Sequence, residues 1–109
     1  MKREIKFRAW DGRKIWEVET MDELQSKELQ VMQYTGLKDK NGKEIYQDDI
    51  LNIDGLNVKV EWHNGAWTVE YFTSPKRSYL STFDETDIEI VGNVYEHPDL
   101  LMSGKGDII

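Results

Sequence analysis

Cysteine is absent from this chain of 109 residues, which excludes disulfide staples, thiolate zinc sites and cysteine nucleophiles and leaves stability to packing. Histidine occurs only at positions 63 and 97, so a serine nucleophile would have just these two bases to draw on, and no G-x-S-x-G elbow surrounds any serine. No apolar run approaches the roughly 18 residues that cross a bilayer, and "MKREIKFRAW" has no continuous apolar segment of the signal-peptide kind. A cytoplasmic protein without a membrane partner is expected. The length is one domain's worth, and no repeat or linker divides it; a single β domain over residues 1–102 with a mobile tail over 103–109 is the expectation.

The charge is short of one sign overall and uneven along the chain. The net value is -7, yet the segment from Met1 to Lys14 carries six basic residues against Glu4 and Asp11, while the segment from Asp84 onward carries seven acids against Lys105. The two ends should attract one another, within a chain or between subunits. General nucleic-acid affinity is disfavoured, because counterion release needs a clustered positive surface.

What is abundant is strand signal: alternating apolar residues, β-branched and aromatic side chains, and closely spaced turns. "IKFRAW" alternates Ile5, Phe7 and Ala9 with Lys6, Arg8 and Trp10, and "DGRK" turns it into a second strand, "KIWEVE". Thr20 followed by Glu23 fits a capping box, predicting a short helix over Met21–Glu28. The next stretch, "LKDKNGKEIYQDDILNI", raises a calcium reading that its register rejects. With Gly42 at position six of an EF-hand loop, Leu37 falls at position one and Asp48 at twelve. With Asp39 at position one, Gly42 falls at four and Ile50 at twelve, so the Asn-Gly pair reads instead as a hairpin turn.

Asp54-Gly55 and Asn64-Gly65 mark two further hairpins. If Asn64 and Gly65 are the turn residues, arithmetic pairs His63 with Ala66, Trp62 with Trp67, Val60 with Val69 and Val58 with Tyr71. One face is then continuously apolar, and Lys59 lies opposite Glu70 on the other. Both tryptophans are expected in the core, so that Trp62→Ala would cost roughly 3 to 5 kcal/mol. A short strand over Ser78–Leu80 is expected, then a final strand, "DIEIVGNVYE", with Ile88, Ile90 and Val94 on one side and Val91 and Tyr95 on the other. Apolar groups on both faces imply burial on both sides or a partner chain. Pro98 should open a closing helical turn.

Three ordered blocks, "IKFRAWD", "MQYTGLKDKNGKEIYQDDIL" and "VGNVYEHPDLL", resemble the YopX family of small phage and prophage proteins over about Ile5 to Leu101. The resemblance implies a mainly β fold of hairpins forming a small SH3-like barrel from Tyr46 onward, with one or two short helices, and a phage origin; it implies no activity, catalytic residue or cofactor. Where the family usually reads Gly-Asp-Ile this chain has Asp48-Asp49-Ile50, so Asp48 is expected to take a left-handed conformation at some cost.

Site candidates are few. Asp48, Asp49, Asp54 and His63 could in principle gather round magnesium or manganese, but their spacing supports no defined geometry, and no metal or catalytic site is assigned. Lys6, Arg8 and Trp10 share a strand face of the type that contacts single-stranded nucleic acid; the competing reading is a solvated outer face with Trp10 covered. Gly42, Gly55 and Gly65 are assigned to turns. The expected function is a non-enzymatic binding module that self-associates or takes a host or phage protein. The alternatives are nucleic-acid binding or metal-dependent processing, and an acidic inhibitor of a host DNA-binding protein.

Overall fold

Turn chemistry sets the strand boundaries. In a computed structural model that describes residues 5–19, 29–71 and 76–100, Asp54 and Gly55 both have positive φ (54° and 84°), as do Asn64 and Gly65 (51° and 84°). Consecutive left-handed residues make the two-residue turn whose twist suits a hairpin. The first closes β5 (Asp49–Ile53) onto β6 (Leu56–His63), the second β6 onto β7 (Ala66–Tyr71). Every pair expected for the second hairpin is present, from His63 with Ala66 to Val58 with Tyr71, including Lys59 opposite Glu70.

The remaining strands are β1 (Phe7–Trp10), β2 (Ile15–Glu17), β3 (Gln30–Lys38), β4 (Glu44–Tyr46), β8 (Arg77–Tyr79) and β9 (Ile88–Asn93). They form two antiparallel sheets, four strands in the order β2-β1-β3-β4 and five in the order β8-β7-β6-β5-β9. The fold is mainly β, with 3-10 turns at Leu80–Thr82 and Glu85–Asp87 as its helical pieces and a helical turn starting at Asp99 after Pro98. Since β8 and β9 are unpaired with each other, the larger sheet is an open, half-barrel curl. The helix expected over Met21–Glu28 and the tail expected over 103–109 lie outside the described residues.

The main core fills the concave side of the larger sheet. Leu51, Val58, Val60, Val69 and Leu80 are fully buried there, with Trp67, Tyr71 and Ile90 packed at the margin. Trp62 is a correction: it is 53% exposed. The alternation that places it on the apolar face is right, but the hairpin runs on past the elements that cover the valines. Its ring meets Trp67 edge-on at 4.9 Å while its other side faces water. The short strand begins one residue earlier than expected, because Leu80 turns inward to open the 3-10 turn.

The final strand also differs. It ends at Asn93, and residues 94–96 form a turn. Its two apolar faces come from a bulge: Ile50 pairs with Gly92 and Leu51 with Ile90, so Val91 is skipped, points off the ladder and is 36% exposed. Nor is the strand's outer edge open. Ile88 accepts a hydrogen bond from the Lys40 amide at 2.9 Å, and the Ile90 amide donates to the Asp39 carboxylate at 3.0 Å. The β3–β4 turn thereby blunts the edge and ties one sheet to the other.

Candidate functional site

The residues with the most chemistry meet where the two sheets face each other. Strand alternation turns Arg8 and Trp10 inward, which corrects the expectation of a solvated face at Arg8 and meets the expectation that Trp10 is covered, while Lys6 stays 32% exposed. A buried guanidinium requires matched charge, and β5 supplies it at its first residue. Arg8 Nη2 donates to Asp49 Oδ1 at 2.6 Å, its Nε donates to the Met32 sulfur at 3.3 Å, and its plane lies 4.6 Å from the Tyr46 ring centroid. Asp49 is 2% exposed, and its second oxygen accepts the Tyr46 amide at 2.8 Å. Burial pushes the Asp49 carboxyl above the usual carboxylate range, working against Arg8 and that amide, which favour the charged form. Lys6 pairs with Glu44, and Trp10 stacks on Tyr95 at 5.7 Å with ring planes 20° apart. The basic N-terminal strand thus finds its counter-charges at Glu44 and Asp49, in the middle of the chain rather than in its acidic C-terminal part.

Asp48 has φ 69°, the left-handed conformation expected where the family carries glycine. The bend lets its amide donate to Val60 O at 2.9 Å and its carbonyl accept from the Val94 amide at 3.0 Å. Its carboxylate accepts the Tyr95 hydroxyl at 2.8 Å; burial and that bond push the Tyr95 phenol up to about 12. Asn93, 7% exposed, accepts the amides of Tyr95 and Glu96 and so shapes the turn that carries Tyr95 inward. Between these groups is a cleft of about 330 Å³ lined by Arg8, Lys43, Glu44, Tyr46, Asp49 and Asn93.

The carboxylates considered together for a metal are not together. Asp54 sits at the far end of β5, about 16 Å along the strand from Asp49, and His63 is exposed at the tip of the next hairpin. Among the described residues no group of three or more histidines and carboxylates could hold a metal ion. Asp39, suggested by the calcium reading, is 3% exposed and accepts the amides of Asn41 (2.8 Å), Lys43 (2.9 Å) and Ile90 (3.0 Å). Burial raises its pKa, but the three amides outweigh that and hold it below the usual range. Gly42, Gly55 and Gly65 occupy turns with positive φ as expected.

Sequence reasoning missed Asp39, Tyr46, Asn93 and Tyr95 as organising residues. Asp39 carried a usable signal, an aspartate two residues before Asn41 that can accept amides of its own turn. Asn93 carried the same signal, since its side chain accepts the amides two and three residues on, whereas Tyr95 carried none, because its partners Asp48 and Trp10 are distant in sequence.

A family model described as YopX protein matches residues 13–102. No curated protein matches the chain. Among solved structures, the fold is similar to the crystal structure of protein EF1440 from Enterococcus faecalis, with a TM-score of 0.64 and 23% identity over 92% of this chain and 99% of that one. It is also similar to the crystal structure of protein yopX from Bacillus subtilis, with a TM-score of 0.59 and 17% identity over 87% of this chain and 96% of that one. At these identities the structural likeness carries the fold, and the family match carries membership: this chain belongs to the YopX family.

Proposed function

We propose that the protein is a non-enzymatic phage or prophage accessory protein of the host cytoplasm, a single domain whose half-barrel serves as an SH3-like scaffold for binding and self-association. The observation that supports this is a division of labour. Arg8, Asp39, Asp48 and Asp49 are engaged in fastening strands and sheets, while the large side chain of Trp62 is 53% exposed on an otherwise apolar sheet face. An exposed indole flanked by packed residues has the character of a binding anchor. Light scattering on the purified chain at low and high salt tests the self-association: a defined oligomer is expected, and Trp62→Ser should lower its mass while leaving the far-UV spectrum intact. A monomer at both salts would overturn it.

A further inference from the structure

We propose that the tip of the β6–β7 hairpin is a site of self-modification, at which the side-chain amide of Asn64 is lost to attack by the backbone nitrogen of Gly65, with water as the co-reactant. The Gly65 nitrogen gives up its proton and bonds to Asn64 Cγ, the Cγ–Nδ2 bond breaks, and ammonia leaves. Water then opens the cyclic imide at one carbonyl to give aspartate, or at the other to give isoaspartate, with no change of oxidation state.

The chain carries this pair of residues twice, as Asn41-Gly42 and Asn64-Gly65, and all four are exposed. Crowding does not separate the two, since a side chain built on either glycine would meet nothing within 4 Å. The attacking nitrogen does. The Gly42 amide donates to Asp39 O at 3.0 Å, and the Asp39 carboxylate takes the amides on either side, from Asn41 at 2.8 Å and Lys43 at 2.9 Å. Attack at Asn41 requires the Gly42 nitrogen to leave that bond, in a loop that also holds β9 at Ile88 and Ile90. The Gly65 amide has no acceptor among the described residues, and the turn is closed outside it by the pairing of His63 with Ala66. The Asn64 side chain meets His63 Nε2 through its leaving nitrogen, at 3.3 Å.

The product changes the surface next to Trp62. A new carboxylate adds to a net charge already at -7. Isoaspartate also puts an extra methylene into the main chain, and a two-residue turn cannot lengthen without disturbing the register that sets Trp62 opposite Trp67. The reaction itself does not depend on the binding role proposed for Trp62.

The test is a time course of the purified chain at mildly alkaline pH, read by peptide mass mapping, with a parallel incubation in urea. In the folded protein the peptide carrying Asn64 should become about 1 Da heavier, at least about fivefold faster than the peptide carrying Asn41. In urea the two rates should converge, because the Asp39 bonds are gone. Asn64→Gln should abolish the faster reaction, and isoaspartate methyltransferase should label the aged chain at position 64. Equal rates in the folded chain, faster loss at Asn41, or modification confined to the unfolded chain would overturn the proposal. A ratio that survives in urea would overturn it as well, since the difference would then lie in the neighbouring residues and not in the fold.

Discussion

The two sheets are held by different physics. The larger one buries a run of aliphatic side chains, Leu51, Val58, Val60, Val69 and Leu80, and its stability is additive in apolar area. The smaller one buries Met32, Tyr34 and Tyr46 as its own cluster, and meets its neighbour through Ile45 and Leu37 in the main core and through an inward-facing arginine, a buried aspartate and stacked rings. Hydrophobic burial is tolerant of small changes. A largely buried ion pair is not, because removing one partner leaves the other charge poorly solvated and unpaired.

The sharpest way to break the comparison is at Arg8. Arg8→Ala should destabilise by roughly 3 to 5 kcal/mol at neutral pH, measured by chemical denaturation. The folded pKa of Asp49 is already above its unfolded value, so the native state binds the extra proton and this residue's contribution falls as pH rises through that window. Without Arg8 the ionised carboxyl is more costly still, so the penalty should shrink as pH falls into the acid range, where protonation relieves it. A penalty that does not vary with pH would place Arg8's role in packing.

Next in size is Asp39, which joins the sheets through backbone amides. Asp39→Ala leaves three amides without their acceptor and should cost about 2 to 4 kcal/mol, while Asp39→Asn should recover part of it. Hydrogen exchange at Ile90 should accelerate in both variants. On the larger sheet, Val60→Ala should cost about 1 to 3 kcal/mol through a simple cavity, whereas Trp62→Ala should cost less than about 1 kcal/mol, since the indole is more than half exposed. A large loss at Trp62 would mean that self-association, not the monomer fold, carries its packing.

Smallest is a charge network on the outer face of the larger sheet. Burial pushes the Glu61 carboxyl up, but hydrogen bonds from Lys59 and Arg77 outweigh it and hold it at about 2, below an ordinary value of 4.5. The folded value is depressed, so its contribution is present above about pH 4.5 and is lost as pH falls toward about 2. Because the site is partly solvated, about 1 kcal/mol is expected. Glu61→Gln should flatten the acid side of the stability profile by that amount.

The same contrast explains what could be read beforehand. The β6–β7 hairpin was legible to the residue because two turn residues and a period of two determine every pair. Burial along it was less legible: alternation assigns Trp62 to a face but does not say how far the covering elements reach. Val91 was misread because a bulge skips one residue and mimics a two-faced strand. The inward turn of Arg8 had no local signal at all, since the charge that makes it tolerable lies 41 residues away at Asp49. Asp48 was the exception on this side of the molecule, its left-handed conformation readable because it stands where related chains carry glycine.

The claim that charge joins the smaller sheet to the larger one alongside the apolar contact of Ile45 and Leu37 with the main core is tested most directly by a double-mutant cycle on Arg8→Ala and Asp49→Ala, read by urea denaturation. A coupling of about 2 to 4 kcal/mol is predicted, with the double variant far less destabilised than the sum of the single ones. Losses that add to within about 0.5 kcal/mol would contradict it and return the joint between the sheets to packing alone.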